Sequence, residues 1–267
     1  MIILIRILYM TNRKYLIAAN WKQNGNLKKL TMLTKDFLKL FKSKNISNEV
    51  LLLPPSIYVP NINQIIKSGG VECANIKLGL QNISPFNEGP FTGEISVEMS
   101  RDFGCKYALI GHSERRHVFH EKDAHIAQKI EISLKNNLHA ILCVGETLKE
   151  FNAKKTKRVI YRQLNQALKD SLKILRIKKN KLIIAYEPVW AIGTGKSADI
   201  SQIVNTHKYI QDTLTKILGK HNIKILYGGS VNEQNITQIL SLNVVNGVLV
   251  GGASLNSKKF IDICSAI

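Results

Sequence analysis

Two polar side chains in this sequence have the chemistry to move a proton beside a carbonyl group. Glu187 follows an apolar run and precedes Pro188, which favours an extended backbone at the glutamate. His112 follows another apolar run, and Ser113 and Glu114 behind it suit the N-cap and first turn of a helix. Because a helix N-terminus disfavours an imidazolium, we predict that His112 stays neutral and donates a hydrogen bond. A glutamate base and an imidazole donor are typical of proton transfer between carbon atoms.

Two glycine pairs and one lysine indicate a phosphate site. The pairs lie in YGGSV (227–231) and VGGASL (250–255), where glycine lets the backbone approach a ligand closely. A short helix that starts at Gly252 or Ala253 would add its N-terminus as an anion site. Ordinary tight turns are the alternative interpretation of either pair alone. Lys22, in AANWKQNG (18–25), is a surface charge by itself but a substrate anchor if it faces both turns.

The segment AYEPVWAIGTGKSAD (185–199) has the composition of a lid next to the base. Its two glycines lie between stiffer flanks, an arrangement that lets a loop close over a site. The GTGKS string is not a Walker A loop, because Trp190 stands where that motif needs glycine. A partial dinucleotide fingerprint at 193–198 is a weak match, since it does not open directly from a strand. The predicted lid comprises Pro188, Val189, Trp190, Ala191, Ile192, Gly193, Thr194, Gly195, Lys196, Ser197 and Ala198.

Eight short apolar runs alternate with longer amphipathic stretches along the chain. The runs begin near residues 15, 48, 76, 106, 139, 181, 223 and 246. Near-continuous apolar composition is typical of strands buried on both faces, and strand–helix alternation favours parallel strands. Helical periodicity covers the stretches 26–43 and 157–175, among others. Eight such units predict an α/β fold, a closed (β/α)8 barrel, with an open doubly wound sheet as the alternative.

Polar residues stand where these runs end. Asn20 ends the first run, Gln81 the third, His112 the fourth, Glu146 the fifth and Glu187 the sixth. The carboxyl ends of all strands face the same mouth of a closed barrel. We therefore predict that residues far apart in sequence line one pocket there.

The bulk composition restricts the possible function classes. The 267 residues are 45% hydrophobic and carry a net charge of +19, but lysines occur in nearly every polar segment. No basic stripe of a nucleic-acid-binding protein stands out, and the positive charge would instead attract a dianionic substrate. The four cysteines form no C-x-x-C pair, which favours a reduced, cytoplasmic protein. The spacing of His117, His120 and His125 matches no zinc site, so we expect no metal.

We predict one domain at residues 11–267, preceded by a non-functional extension at residues 1–10. The extension is apolar around Arg6 but is too short to span a bilayer. The TNRK sequence that follows offers no small-residue cleavage site for a signal peptidase. We therefore expect no membrane partner.

Six segments together resemble the triosephosphate isomerases: AANWKQNG, FTGEIS, IGHSERR, AYEPVWAIGTGKSA, YGGSV and VGGASL. They follow one another in the family's order and spacing from about residue 15 to the C-terminus. The resemblance implies a TIM barrel that needs no cofactor. It also implies the glycolytic and gluconeogenic interconversion of dihydroxyacetone phosphate and glyceraldehyde 3-phosphate through an enediolate. A neutral histidine at a helix start is an established feature of this very family.

The resemblance also implies a role for each matching residue. Glu187 would be the base, and His112 and Asn20 would hydrogen-bond the substrate oxygens. Lys22 would offset the charge of the phosphate and the enediolate. The supporting residues would be Ser113 and Glu114, and the amides that hold the phosphate would be those of Gly193, Ser230, Gly251 and Gly252.

The family forms homodimers, and the segment 82–96 matches the loop that reaches into the neighbouring subunit. Thr92 at its tip would approach the partner's Asn20 and the partner's Glu114. Gln23 departs from the family pattern, in which an apolar residue is common and is gripped by that loop. A polar amide there would weaken the dimer unless it is hydrogen-bonded. Ala19 in place of glycine and Ser197 in place of threonine should be tolerated.

Two other functions stay open on the sequence. Another barrel isomerase of phosphosugars would share the glycine turns, but not a Glu-Pro-Val-Trp lid together with GHSERR. A non-catalytic basic scaffold would predict a damaged site, whereas Asn20, Lys22, His112 and Glu187 are all intact.

Overall fold

Eight parallel strands form a closed barrel in chain order in the computed structural model, which describes residues 13–44, 46–193 and 198–266. Strand β8 pairs back with β1, from Leu16 opposite Gly247 to Ala19 opposite Val250. All eight predicted strands are confirmed, and the closed ring excludes the open sheet. The predicted extension at 1–10 and the lid residues Thr194, Gly195, Lys196 and Ser197 lie outside the described residues. The strands are β1 (Leu16–Asn20), β2 (Glu49–Leu53), β3 (Ile76–Leu80), β4 (Cys105–Ile110), β5 (His139–Val144), β6 (Leu182–Tyr186), β7 (Lys224–Tyr227) and β8 (Gly247–Val250).

Helices fill the connections between strands. They are α1 (Leu27–Ser43), α2 (Val59–Ser68), α3 (Val97–Asp102), α4 (Ser113–His117), α5 (Asp123–Lys135), α6 (Leu148–Asn152), α7 (Thr156–Leu168), α8 (Leu172–Lys178), α9 (Ile200–Leu218), α10 (Ile236–Leu240) and α11 (Ser257–Cys264). Short 3-10 turns lie at Ser56–Tyr58, Val71–Cys73, Lys169–Ser171, Lys179–Lys181, Val189–Ala191 and Gly252–Leu255. No described helix is both long and apolar enough to cross a membrane.

The two helices predicted from periodicity differ in their outcome. The helix predicted at 26–43 is confirmed as α1, where the Asn26 side chain accepts a hydrogen bond from the Lys29 N–H at 2.9 Å. The prediction of one continuous helix at 157–175 is wrong, because the 3-10 turn Lys169–Ser171 separates α7 from α8. Asp and Ser compete with the backbone for hydrogen bonds and are poor helix formers, which explains the break.

The core has two layers, one outside and one inside the ring of strands. The outer layer joins outward-facing strand residues to the buried faces of the helices. The inner layer consists of alternate strand residues, from Leu16 and Ala18 in β1 to Leu249 in β8, as the twofold periodicity of a strand requires. Because side chains fill the interior, ligands can enter only at the two ends of the barrel.

Candidate active site

A cavity of about 510 Å³ lies at the carboxyl ends of the strands. It is bounded by residues from the ends of β1, β4, β6, β7 and β8, which the closed barrel brings to one mouth. The eight predicted catalytic and substrate-binding residues all line it: Asn20, Lys22, His112, Glu187, Gly193, Ser230, Gly251 and Gly252.

Glu187 and His112 are in direct contact at the bottom of this cavity. His112 Nε2 lies 3.1 Å from Glu187 Oε1, and the Ser113 N–H donates to Glu187 Oε2 at 2.9 Å. Their exposed fractions are only 5% for His112 and 2% for Glu187, so water competes little for these contacts. The carboxylate is therefore held by two donors from the β4–α4 junction.

The backbone around α4 favours one tautomer of His112. The Glu114 N–H donates to His112 Nδ1 at 3.2 Å, and a ring nitrogen that accepts a hydrogen bond carries no proton. The remaining proton is then on Nε2, which faces Glu187. The prediction of Ser113 as the N-cap is wrong, since His112 is the N-cap and Ser113 is the first helical residue. The imidazole takes this position because it reaches the free N–H in the first turn.

Lys22 stands in a left-handed backbone conformation, with φ of 51°. For a non-glycine residue such a conformation costs about 1–3 kcal/mol and persists only where the surroundings hold it. Asn20 Oδ1 accepts from the Lys22 N–H at 3.0 Å, and Gln81 Nε2 donates to the Lys22 carbonyl at 2.9 Å. The ammonium lies 2.6 Å from Glu114 Oε1, which directs it along the cavity wall. Asn20 and Gln81 thus hold the backbone of Lys22 in this conformation through two hydrogen bonds.

The glycine turns border the base and Lys22, and at Gly228 a side chain would crowd the base. A Cβ at Gly228 would lie 3.0 Å from Glu187 Cγ, and one at Gly251 would lie 3.9 Å from Lys22 Cε. The helix predicted near Gly252 is a 3-10 turn, Gly252–Leu255. A Cβ at Gly252 would meet no atom within 4 Å, so its backbone faces open space. Backbone at these turns can therefore approach a ligand beside Lys22.

The described part of the predicted lid is tied to the barrel at both ends. Trp190 Nε1 donates to Glu146 Oε1 at 3.0 Å, and the Glu146 side chain is fully buried. The Ser230 hydroxyl donates to the Ala191 carbonyl at 2.6 Å, and the Ala198 N–H donates to the Tyr227 hydroxyl at 3.3 Å. Burial raises the pKa of Glu146 above its usual value, although hydrogen bonds such as that from Trp190 oppose the shift.

A second cavity, of about 400 Å³, adjoins the first on the side of Glu114. The exposed Gln23 lines it, and its side chain has no hydrogen bond among the described residues. The predicted dimer loop protrudes nearby, with its base closed by a Ser84 N–H to Ile95 carbonyl hydrogen bond of 2.8 Å. Thr92 is exposed on this loop.

Some cavity residues are missing from the sequence prediction. Asn232, Glu233, Asn256 and Lys259 also line the first cavity, and Glu233 pairs with Lys259 at 3.3 Å. These four follow the two glycine turns by a few positions, so extending the motifs would have found them. Two arginines beside the site form ion pairs, at 3.2 Å for Arg115 with Glu121 and at 2.7 Å for Arg116 with Asp123.

The described ranges contain no group of three histidine, cysteine or acidic residues that could hold a metal ion. The four cysteines are buried and free. Burial raises the pKa of the Cys143 thiol well above its usual value, and the charge of Glu187 adds to the shift.

Comparison with known proteins identifies the family to which this arrangement corresponds. The sequence profile of triosephosphate isomerase matches residues 15–267. A triosephosphate isomerase of Legionella pneumophila (strain Lens) is 40% identical over 258 residues, which cover 96% of this chain and 99% of the relative. One of Lawsonia intracellularis (strain PHE/MN1-00) is 42% identical over 255 residues, 95% of this chain and 98% of the relative. One of Shewanella denitrificans is 40% identical over 263 residues, 96% of this chain and 98% of the relative.

Proposed function

The chain belongs to the triosephosphate isomerase family, and we propose that it interconverts dihydroxyacetone phosphate and D-glyceraldehyde 3-phosphate in glycolysis and gluconeogenesis. The observation that carries this proposal is the contact between a buried carboxylate and an imidazole nitrogen in one cavity. Glu187 Oε1 and His112 Nε2 are 3.1 Å apart there, with Lys22 on the same cavity wall. Base, hydrogen-bond donor and cation are the three groups that an enediolate mechanism needs.

In the proposed reaction, Glu187 takes a proton from carbon 1 of dihydroxyacetone phosphate. The electron pair of the broken C–H bond forms the C1–C2 double bond, and the carbonyl π electrons move to the carbon 2 oxygen. A proton then passes from the carbon 1 hydroxyl to the carbon 2 oxygen, and return of the abstracted proton from Glu187 to carbon 2 leaves the carbonyl at carbon 1 and completes the aldose. No electron leaves the substrate, so the step needs no redox partner.

His112 and Lys22 would stabilise the negative charge that develops on the oxygens. The Nε2–H of His112, which faces Glu187, would donate to the substrate oxygens together with the Asn20 amide. A single preorganised donor of this kind is worth roughly 2.7–4 kcal/mol in the transition state. Lys22 would neutralise part of the charge on both the enediolate and the phosphate. Glu114, 2.6 Å from the Lys22 ammonium, would have the supporting role of directing it.

The phosphate would bind opposite the base, at the backbone of Gly193, Ser230, Gly251 and Gly252. The open space beside Gly252 and the approach of Gly251 to Lys22 support this orientation. The segment 188–198 would then close over the substrate and exclude water, which strengthens the electrostatic contacts inside. Its attachment through Trp190 to the buried Glu146 supports a closure that pivots on a fixed end.

We further propose a homodimer in which Thr92 enters the second cavity of the partner, next to the partner's Gln23. The protruding loop and a cavity of about 400 Å³ beside the active site support this assembly. A cytoplasmic location is proposed because ionised triose phosphates cross bilayers poorly and the cysteines are free. Residues 11–267 would form the catalytic domain and residues 1–10 a dispensable extension, which the start of the family match at residue 15 supports.

The experiment that tests the function is a coupled assay with the purified protein. Glyceraldehyde 3-phosphate is supplied, and formation of dihydroxyacetone phosphate is followed through NADH oxidation by glycerol-3-phosphate dehydrogenase. We expect turnover that depends on Glu187 and is unaffected by EDTA. Absence of turnover by the wild-type protein would refute the proposal. Other phosphosugars are assayed in parallel, since activity on one of them alone would favour a different barrel isomerase.

A further inference from the structure

A polar cavity of about 410 Å³ lies at the end of the barrel opposite the active site. We call it the basal cavity; its charged and aromatic lining residues are Glu49, Lys77, Lys106, Tyr107, His139, Lys181 and Lys224. Several of them open strands: Glu49 starts β2, His139 starts β5 and Lys224 starts β7. The proposed catalytic residues, by contrast, follow the ends of strands, so the packed interior separates the two cavities.

Four of the lining residues lie on strand faces that turn towards the barrel interior. Glu49, His139, Lys181 and Lys224 each stand two positions before a residue of the interior apolar layer. Residues two apart on a strand share a face. The apolar interior therefore ends at this mouth in a layer of ionisable side chains.

The basal cavity carries an uncompensated positive charge. Three half-buried lysines, Lys77, Lys181 and Lys224, surround a single carboxylate, that of Glu49, which leaves two net positive charges, while the exposed Lys106 stands at the rim. Among the residues that the structure describes, no carboxylate lies within ion-pairing distance of any of the four ammonium groups.

The other contacts of this layer do not neutralise the lysines. Glu49 accepts a hydrogen bond from the Tyr107 hydroxyl. Lys77 Nζ donates to the Ala74 carbonyl at 2.7 Å, and Lys181 Nζ lies 3.1 Å from His139 Nε2. A carbonyl and a neutral imidazole satisfy N–H groups, but they supply no opposite charge.

A surface rich in lysine does not by itself account for this arrangement. Lysines on the exposed faces of helices extend their ammonium groups into bulk water, where repulsion between them is screened, and the buried Lys129 is paired with Glu121. Lys77, Lys181 and Lys224 are instead half-buried around one concave site. Like charges around a concave, low-dielectric wall focus the electric field and concentrate anions there.

We propose that the basal cavity binds an oligophosphate group, from free inorganic polyphosphate or from the phosphate chain of a nucleotide. A diphosphate or triphosphate carries enough negative charge to balance the two net positive charges, and the three ammonium groups can each donate to a different phosphate oxygen. The volume of about 410 Å³ is sufficient for a compact anion of this class.

His139 provides a reporter inside the cavity. Burial, and then the charge of Lys181, lowers the pKa of His139 to about 4. Glu49 opposes this shift and Lys224 adds to it, while the Tyr107 ring stacks on the imidazole at 4.6 Å. A bound anion favours the imidazolium, so it should raise the His139 pKa. His207 is the matched control: burial lowers its pKa also to about 4, but it lies between Tyr186 and Tyr227, away from the basal cavity.

The test measures binding of inorganic triphosphate to the full chain by isothermal titration calorimetry. Inhibition of the isomerase reaction by triphosphate reports occupancy of the active site separately. We expect a second site in calorimetry and a rise in the His139 pKa, seen by NMR, with no change for His207. ATP in place of triphosphate distinguishes the sources, since tighter binding of ATP indicates a nucleotide and equal binding indicates the phosphate chain alone.

Two double variants locate the site. Lys181→Gln with Lys224→Gln should weaken the second site at least about tenfold, because each lost charge-assisted hydrogen bond costs that much or more. It should leave turnover and inhibition unchanged. Lys67→Gln with Lys173→Gln removes the same charge from exposed helix positions and should leave the second site intact.

Three results would overturn the proposal: a single site that accounts for the inhibition, an equal loss in both double variants, or an unmoved His139 pKa. The His139 measurement uses the wild-type protein, so it decides the question even if the cavity variant is unstable.

Discussion

Shortening the proposed base by one methylene group is the sharpest test of the active site. In Glu187→Asp the carboxylate keeps its charge and its buried position but withdraws by about 1.5 Å, the length of one C–C bond. The wild-type carboxylate is 3.1 Å from His112 Nε2 and 2.9 Å from the Ser113 nitrogen. Both contacts would then stretch well beyond hydrogen-bonding distance unless the backbone moves.

The same withdrawal determines the expected loss of turnover. A misplacement of about 1 Å can cost about 100-fold in rate, and general base catalysis as a whole contributes about 10²- to 10⁴-fold. We therefore expect kcat to fall by about 10²- to 10³-fold in Glu187→Asp. The phosphate turns and Lys22 are untouched, so KM should stay within about threefold, the pattern of a lost transition-state interaction.

Glu233→Asp is the matched control, because Glu233 lines the same cavity but is exposed and pairs with Lys259. Steady-state kinetics with both triose phosphates should give near wild-type values for this variant. A Glu187→Asp enzyme with kcat close to wild type would refute the assignment of the base. An equal loss in Glu233→Asp would mean that shortening any cavity carboxylate disturbs the fold.

Three further predictions concern the lid anchor, a buried histidine and the dimer. Glu146→Ala removes the acceptor used by Trp190 and Tyr186, so urea denaturation should show a loss of about 2–4 kcal/mol. Glu146→Gln, which keeps one acceptor oxygen, should lose less. Burial lowers the pKa of His207 from 6.5 to about 4 in the folded chain, so the unfolded chain binds more protons between these values. Stability should therefore fall as the pH drops below about 6.5, by up to about 3 kcal/mol, and His207→Gln should flatten that slope in urea titrations at pH 7 and 4.5. Gln23→Met should tighten the dimer, and an unchanged dissociation constant in analytical ultracentrifugation would contradict the proposed contact.

The barrel was predictable because its strands carry a strong and redundant signal. A strand buried on both faces must be apolar at nearly every position, and eight such runs leave few arrangements. The break between α7 and α8 was not predictable from periodicity, since Leu164, Ala167, Leu168 and Leu175 keep an apolar face on both sides of it. Where an apolar pattern continues across a helix break, the hydrogen bonding of residues such as Asp and Ser to the nearby backbone decides where the helix ends. Hydrophobic spacing does not reveal that break.

The identities of the central polar cavity residues were predictable, but their conformations were not. Motifs at strand ends indicated Asn20, Lys22, His112 and Glu187, because a closed barrel gathers those ends. The left-handed backbone of Lys22 depends on Gln81, which is distant in sequence and bonds to the Lys22 carbonyl. Such a tertiary contact leaves no mark in the local sequence around the lysine.

The contact between Glu187 and the start of α4 constrains how the proposed catalysis must begin. In the structure, the carboxylate is held by the Ser113 N–H and by His112 Nε2, the same donor that the substrate oxygens would require. Hydrogen bonds to charged groups are worth about 1.5–3 kcal/mol each, so releasing the carboxylate towards the substrate carbon has a substantial cost. The reacting carbons are neutral before proton transfer and cannot supply that free energy. It must come from the phosphate at the glycine turns and from closure of the lid, so we expect the phosphate, although remote from the reacting carbons, to raise kcat as well as binding.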